Sequence, residues 1–197
     1  MFDYSKTDSG IVIERYRGSE AVVDMPQEID GLPVTKINVE LFERRQELKE
    51  IFFPQHVKHI GYRLCKWCKN LTKIYFPNGL TRIEDEAFSG CISLQNINLP
   101  ASLKAIGSIT FAGCISVSEI HLPDSVEEIG SYAFSCCSKL KTINLPVALK
   151  IIGDNAFNEC YALRNFYVPK ILLERDIAVD VKKILANLPE GCAVRYV

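Results

Sequence analysis

Apolar residues return along this chain at a fixed interval of 23 residues. Four columns of this kind run through the middle of the sequence without an insertion or a deletion. They are Ile37, Ile60, Ile83, Ile106, Ile129 and Ile152; Leu71, Leu94, Val117, Leu140 and Leu163; Phe88, Phe111, Phe134 and Phe157; and Pro54, Pro77, Pro100, Pro123, Pro146 and Pro169. A single unit is too short to bury its own apolar side chains, whereas stacked units bury each column against its own copies. A period of this length therefore predicts a solenoid.

Each unit is predicted to contain two short strands and a turn. Segments such as "LTKIYF" and "LQNINL" alternate apolar and polar residues, which is typical of a strand with one buried face. Stacked in register, these segments predict a parallel sheet, and the proline that follows each one lacks an N–H and ends the strand. A second short segment such as "LKAIG" leads into a tight turn. The "AFSGC" stretch then predicts a helical or 3₁₀ turn that buries its phenylalanine.

Both ends of the chain depart from the repeat and predict caps, because the last units of a stack would otherwise expose an apolar face. Residues 1–30 alternate like strands and predict an N-terminal β cap, and residues 31–169 contain about six repeats. In residues 170–197, apolar residues at helical spacing predict an amphipathic helix as the C-terminal cap. Its buried face would consist of Ile177, Val181, Ile184, Leu185 and Leu188. We expect residues 1–197 to form one domain.

The segment "IDGLPVTKI" at residues 29–37 and the unit "AFSGCISLQNINLPASLKAIG" at residues 87–107 resemble the BspA-type leucine-rich repeat family. The resemblance covers about residues 4–169. It implies an α/β solenoid, a right-handed leucine-rich repeat coil, with a function in binding and adhesion rather than catalysis. Many members of the family are secreted or cell-surface proteins of host-associated bacteria. This chain departs from the family pattern at Leu64-Cys65, at Glu84 in place of glycine, and at Arg45, which stands where later repeats have cysteine.

Five of the eight cysteines share one column of the repeat: Cys68, Cys91, Cys114, Cys137 and Cys160. A small, tightly packing side chain suits an inward position, so we expect buried free thiols there. Neighbouring copies would lie about 4.8 Å apart with parallel Cα–Cβ bonds, which fits a disulfide poorly. The alternative is a thiol-dependent redox or metal-binding protein that uses Cys65 and Cys68. These two form a C-x-x-C pair, but the chain has no second pair to complete a zinc site.

Composition and charge narrow the range of functions further. A net charge of −1 gives no electrostatic reason to expect nucleic acid as a partner. No apolar run approaches the roughly 18 residues of a membrane span. The common catalytic motifs are missing, so we expect a protein that is not an enzyme and binds neither cofactor nor metal. We also expect it to be a monomer. The resemblance favours a secreted or cell-surface location. The chain as given has no signal peptide, so the protein is either intracellular or has had a leader removed, and its cysteines are expected to be free thiols.

The outward strand positions are where a repeat fold leaves the residue type free, and we expect partner recognition there. Aromatic residues at both ends of such a row, with hydrogen-bonding residues between them, are typical of a recognition surface. The candidates are Phe52, Tyr75, Asn98, His121, Asn144 and Tyr167, with Lys73 and Glu119 from the neighbouring column. Alternatively, these residues only tolerate an exposed strand, or Phe52 and Tyr167 pack against the caps. The sequence thus favours a module that binds a protein or another macromolecule, with a structural spacer of a larger surface protein as a further alternative.

Overall fold

The computed structural model describes residues 1–174 and 181–197. The chain forms a β-solenoid of about seven turns with parallel sheets, and only 4% of it is helical. The architecture is therefore a β-solenoid rather than the α/β solenoid expected from the sequence. Each turn of the solenoid is called a coil below.

Five strands form the N-terminal region: β1 (Phe2–Thr7), β2 (Gly10–Tyr16), β3 (Val22–Asp24), β4 (Glu28–Ile29) and β5 (Leu32–Ile37). Four of them make one sheet in the order β1-β2-β5-β4, in which β1 and β2 form an antiparallel hairpin and β5 runs parallel to β2. Ile11, Ile13 and Val34 are fully buried on its inner face. This sheet therefore covers the start of the apolar core, and it includes β5, which lies beyond the predicted cap at residues 1–30.

The following coils each supply one strand to each of two parallel sheets. The first side is the row of strands β6 (Glu50–Phe52), β8 (Lys73–Tyr75), β10 (Asn96–Ile97), β12 (Glu119–Ile120), β14 (Thr142–Asn144) and β16 (Asn165–Val168), which is called the first sheet below. Its ladder is interrupted between β8 and β10, so β6 and β8 form a sheet with β3, and β10 to β16 belong to a separate hydrogen-bonded sheet. The second sheet contains β7 (His59–Ile60), β9 (Arg82–Ile83), β11 (Ala105–Ile106), β13 (Glu128–Ile129) and β15 (Ile151–Ile152). Paired residues of these strands are 23 positions apart, as Asn96 with Glu119 and His59 with Arg82 show.

The third side of each coil consists of turns rather than the helical or 3₁₀ turn predicted for it. In the "EAFSGC" stretch, Ser89 donates its N–H to the Glu86 carbonyl over 3.2 Å, which closes a tight turn. Glu86 and Gly90 have φ of +57° and +72°, and a left-handed residue at every fourth position prevents a helix from continuing. Main-chain groups here bond to the next coil instead, as Phe88 N–H does to the Thr110 carbonyl at 2.9 Å.

Phenylalanine rings form a ladder through the centre of the core, in the predicted register. Phe88, Phe111, Phe134 and Phe157 stack with 5.5, 5.6 and 5.5 Å between successive ring centroids. All four rings are buried. Phe111 and Phe134 each stack on two copies of the ring, and Phe88 and Phe157 each stack on one. The ladder thus stabilises each coil through its neighbours.

The C-terminal cap is only partly helical. After β16 the described elements are a 3₁₀ turn at Lys170–Leu172, helix α1 at Val181–Ala186 and strand β17 at Ala193–Tyr196. The predicted contacts of Ile184, Leu185 and Leu188 with the core are present, whereas the side chains of Ile177 and Val181 lie outside the described part. The expectation of a purely helical cap is not confirmed, because β17 pairs parallel to β16. A strand can satisfy the main-chain groups at the edge of a sheet, which a helix cannot do.

Candidate partner-binding face

The candidate residues lie together along the outward face of the first sheet. The strand register places Phe52 beside Tyr75, and Asn144 beside Tyr167. Tyr75 is 41% exposed, and Phe52, Asn144 and Tyr167 are half-buried. The remaining candidates on this face are all exposed: Lys73, Asn98, Glu119 and His121.

An aromatic stack marks the N-terminal end of the row. The rings of Phe52 and Tyr75 are nearly parallel, with 3.9 Å between their centroids and 5° between their planes. Glu50, on the same face, accepts hydrogen bonds from the Tyr75 hydroxyl at 3.4 Å and from Lys73 Nζ at 3.2 Å. The hydrogen bond to Glu50 raises the pKa of Lys73. Lys73 and Glu50 therefore offset each other's charge, and the apolar ring surface is the main feature here.

Asn144 hydrogen-bonds to the main chain of the preceding coil, which its place in the row did not predict. Its Oδ1 accepts the Leu122 N–H at 3.3 Å, and its Nδ2 donates to the Leu122 carbonyl at 3.0 Å. Main-chain pairing between β12 and β14 includes only Glu119 with Thr142, so the amide of Asn144 replaces the next rung of the ladder. Asn98 and His121 differ, since neither side chain hydrogen-bonds to another described residue. The free polar groups of the row are therefore concentrated at Asn98 and His121.

Two further residues extend the row beyond the predicted set. Asp24 on β3 pairs with Phe52, and Arg195 on β17 pairs with Tyr167 and donates to Asn165 Oδ1 at 3.2 Å. Both pairs are separated by 28 positions instead of 23, since 52 − 24 = 28 and 195 − 167 = 28. The 23-residue repeat therefore does not predict that Asp24 and Arg195 lie on this face. The face thus ends in a carboxylate on one side and a guanidinium on the other.

The cysteine column lies inside the coils and has its own bonding pattern. Each of these thiols donates to a main-chain carbonyl of the preceding coil, as Cys91 does to Cys65 at 3.2 Å and Cys114 does to Phe88 at 3.4 Å. The same contact links Cys160 to the preceding coil at 3.2 Å. All eight cysteines of the chain are free. The repeated cysteine therefore joins coils by a buried hydrogen bond in addition to its packing.

The C-x-x-C alternative has little structural support. Cys65 and Cys68 are both fully buried, and burial raises the pKa of Cys65 well above its ordinary value. A reactive thiol needs solvent access and a lowered pKa, which is the opposite environment. Among residues 1–174 and 181–197, no group of three or more histidine, cysteine or acidic side chains could hold a metal ion. The helices of the same residues are all too short or too polar to cross a membrane.

Comparison with known proteins places these features in a family. The sequence profile of the BspA type Leucine rich repeat region matches residues 28–74 and 58–176, with six copies. No curated protein sequence matches the chain. Among solved structures, the chain is similar to the leucine-rich repeat protein of T. pallidum, with 33% identity, a TM-score of 0.81 and coverage of 98% of this chain and 96% of that chain.

Two larger bacterial proteins share the same solenoid. A leucine-rich repeat protein of Bacteroides ovatus is 27% identical, with a TM-score of 0.76 over 86% of this chain and 47% of that one. A leucine rich cell surface protein of Faecalibacterium prausnitzii is 26% identical, with a TM-score of 0.71 over 85% of this chain and 52% of that one. The chain therefore spans about half the length of these two proteins.

Proposed function

The chain belongs to the BspA-type leucine-rich repeat family, and we propose that it is a non-catalytic module that binds a protein partner on the outward face of its first sheet. Proteins with leucine-rich repeats generally bind proteins. The proposed contact residues are the eight of the predicted row, with Asp24 and Arg195 added at its ends. We propose that this binding serves adhesion.

The observation that carries this proposal is the aromatic stack of Phe52 and Tyr75 beside the unbonded side chains of Asn98 and His121. Exposed aromatic residues often dominate the binding energy of an interface, with roughly 1–3 kcal/mol lost on truncation of each. A stacked pair on a parallel sheet is already ordered, so binding immobilises few side chains and costs little conformational entropy. Such a surface favours recognition over a purely structural function.

The remaining parts of the proposal concern organisation and location. We propose that residues 1–197 act as one monomeric domain, with caps at residues 1–30 and 170–197 around the repeats at 31–169. A cell-surface location is supported by the relative from Faecalibacterium prausnitzii, which is described as a cell surface protein. A structural spacer of a larger surface protein is the competing function, and it requires no partner on the sheet face.

The test is a binding screen against an array of purified extracellular proteins, followed by a triple variant, Tyr75→Ala, His121→Ala and Tyr167→Ala. We expect the variant to lose at least about tenfold in affinity for the partner found, because interface energy is concentrated in such residues. Its free energy of unfolding is expected to stay within about 0.5 kcal/mol of that of the parent, as is usual for surface sites.

A matched control replaces three exposed residues of the turn side, Ile92, Ile115 and Tyr161, with alanine. This variant should bind as well as the parent. If the control loses binding and the sheet-face variant does not, recognition lies on the turns. If no protein on the array binds the parent, the result favours the spacer.

A further inference from the structure

The middle of the first sheet presents a group of outward polar side chains that hydrogen-bond to no other residue in the described part of the chain. They lie on β10, β12 and β14 or directly follow these strands: Asn96, Asn98, Glu119, His121 and Thr142. Four of them are exposed, and Thr142 is half-buried. The strand register places Asn96 beside Glu119 and Glu119 beside Thr142, so the group is continuous across three coils. These five residues are called the polar patch below.

Outward polar residues towards either end of the face are already bonded within the protein. Glu50 accepts a hydrogen bond from Lys73 at 3.2 Å, and Asn165 accepts one from Arg195 at 3.2 Å. Asn144 bonds to the main chain of the preceding coil. The hydrogen-bonding capacity that the fold leaves unused on this face is therefore concentrated in the polar patch.

Main-chain donors at the same place are unpaired as well. In three coils, the residue that follows the outward row donates its N–H to the next coil. These bonds join Phe53 to the Tyr75 carbonyl at 3.1 Å, Leu122 to the Asn144 side chain at 3.3 Å and Leu145 to the Tyr167 carbonyl at 2.9 Å. The corresponding N–H groups of Phe76 and Leu99 bond to no described residue, and both residues are half-buried whereas the other three are buried. Because a main-chain N–H needs a partner, the interrupted ladder adds two available donors beside the polar patch.

The composition of the polar patch favours an uncharged ligand that is rich in hydroxyl groups. Amide, imidazole and hydroxyl side chains each combine a donor with an acceptor, and a hydroxyl group of a ligand does the same. Glu119 carries the only full charge of the patch at pH 7 with histidine neutral, and its carboxylate can accept hydrogen bonds from hydroxyl groups. None of the outward strand residues described between Tyr75 and Tyr167 is apolar. The patch therefore lacks the apolar centre that an interface between two proteins normally has.

We propose that the polar patch binds an uncharged oligosaccharide. This inference rests on the function proposed above, because it specifies which chemical group of the partner the first sheet recognises. The Tyr75 ring borders the patch and is 41% exposed, so it offers an apolar surface to the C–H groups of a sugar ring. From β8 to β14 the face spans three coil spacings, roughly 14 Å, which suits a short oligosaccharide.

The first experiment applies the labelled full chain to an array of immobilised oligosaccharides that includes uncharged, sialylated and sulfated members. We expect binding to uncharged members. The affinity should change less than about twofold when the ionic strength is raised from about 0.1 M to about 1 M, because the ligand contributes no charge that salt can screen. A preference for sialylated or sulfated members, or no binding to any member, would overturn the proposal.

A pair of matched double variants tests the location of the site. Asn96→Ala with Asn98→Ala should weaken binding of the oligosaccharide found by at least about tenfold, because each amide supplies a donor and an acceptor. The control, Asn78→Ala with Asn187→Ala, removes two exposed amides from a turn and from the C-terminal cap and should change affinity less than about twofold. Both double variants should unfold at the urea midpoint of the parent, since none of the four side chains hydrogen-bonds to another described residue. Equal losses of binding in the two variants would contradict the proposed location.

NMR titration with the same oligosaccharide tests the contact directly. The side-chain amide signals of Asn96 and Asn98 and the main-chain amide signals of Phe76 and Leu99 should shift on binding. The main-chain amide of Leu145 already has a partner and should shift less. A shift at Leu145 as large as those of the two asparagine side chains would overturn the assignment to the polar patch.

The source of the oligosaccharide is identified with the protein partner from the binding screen. Enzymatic removal of its glycans should abolish binding to the first sheet if the partner is a glycoprotein. Equal binding before and after removal would overturn the oligosaccharide proposal and leave the proposed protein-binding function standing. If free oligosaccharides bind the chain and no protein does, the oligosaccharide proposal stands with a polysaccharide as the source, and the proposal of a protein partner fails.

Discussion

The central coils and the first coil share one repeat pattern but use different chemistry at the same positions. In a central coil, the Cys114 thiol donates to the Phe88 carbonyl of the preceding coil at 3.4 Å. In the first coil, Arg45 occupies that position and donates to the carbonyls of Gly18 at 2.6 Å and Tyr16 at 2.8 Å. Both residues bond to the preceding layer of main chain, one through a thiol and the other through a guanidinium. The residue in a repeat column is therefore set by its neighbouring coil as well as by its own.

The turn side shows the same dependence on neighbours. Trp67 has φ of +60° at a position where the next two coils have Gly90 and Gly113. Its ring lies against Gly90, where an added Cβ would overlap it, and Arg44 and Lys66 lie over the ring at 4.4 and 4.7 Å. Gly90 is thus required by the tryptophan ring of the preceding coil rather than by its left-handed backbone, which Trp67 adopts as well.

The largest effect is expected for Phe111→Ala in a central coil. The ring is fully buried between Phe88 and Phe134, so its removal leaves a cavity that the neighbouring rings cannot close. We expect a loss of about 3–5 kcal/mol in the free energy of unfolding, measured by urea denaturation. Ile115→Ala, at an exposed site of the same coil, should change it by less than about 0.5 kcal/mol. Similar midpoints for the two variants would contradict the register of the ladder.

Arg45→Ala should have the next largest effect. It removes two charged hydrogen bonds and leaves the carbonyls of Tyr16 and Gly18 without this partner, at a cost of about 2 kcal/mol. Arg45→Lys should restore little, because one ammonium cannot reproduce the two-pronged contact. The corresponding change in a central coil, Cys114→Ala, removes one weak thiol bond and should cost about 1 kcal/mol. A smaller loss for Arg45→Ala than for Cys114→Ala would contradict the view that Arg45 makes the stronger bonds to the preceding layer.

Thiol reactivity should differ between the buried and the half-buried cysteines. Six cysteines are buried, and Cys136 and Cys192 are half-buried. Burial raises the pKa of Cys160 to about 12, so almost no thiolate forms there at pH 8. We expect a disulfide reagent at pH 8 to modify the two half-buried thiols of the folded protein slowly, and all eight after denaturation. Rapid modification of Cys65 in the native chain would instead support the redox alternative.

The dependence of each residue on its neighbouring coil also decides which parts of the structure can be predicted from the sequence. The columns of Phe88, Cys91 and their copies are predictable because each packs against identical neighbours, and the period alone specifies those contacts. The strand at Ala193–Tyr196 was not predictable in this way, because it joins the sheet at an offset of 28 positions rather than 23. The same offset hid Asp24 and Arg195 from the candidate face. The hydrogen bonds of Asn144 to Leu122 were not predicted for a related reason, since they depend on a local gap in the ladder that no spacing records.

The smallest expected effect concerns the left-handed column that contains Glu86, Ile109 and Tyr132. Ile109 has φ of +58°, a conformation that costs an L-residue roughly 1–2 kcal/mol and that is uncommon for a β-branched side chain. Ile109→Gly removes that strain, but it also loosens the unfolded chain by about 0.4–1 kcal/mol. The variant also loses the side-chain contacts of a residue that is only 37% exposed, so the strain is measured against a control that loses similar contacts, and Ile109→Gly should be about 1 kcal/mol more stable than that control.

Ile115→Gly is the matched control for this last prediction. Ile115 is 41% exposed against 37% for Ile109, and its φ is not positive. The glycine there removes similar side-chain contacts and adds the same freedom to the unfolded chain but relieves no strain, so this variant should be less stable than Ile109→Gly by about 1 kcal/mol. Paired urea titrations should therefore give a higher midpoint for Ile109→Gly than for Ile115→Gly. If both variants lose stability equally, the left-handed backbone at Ile109 carries no strain, and contacts with the adjoining coils fully offset its conformation.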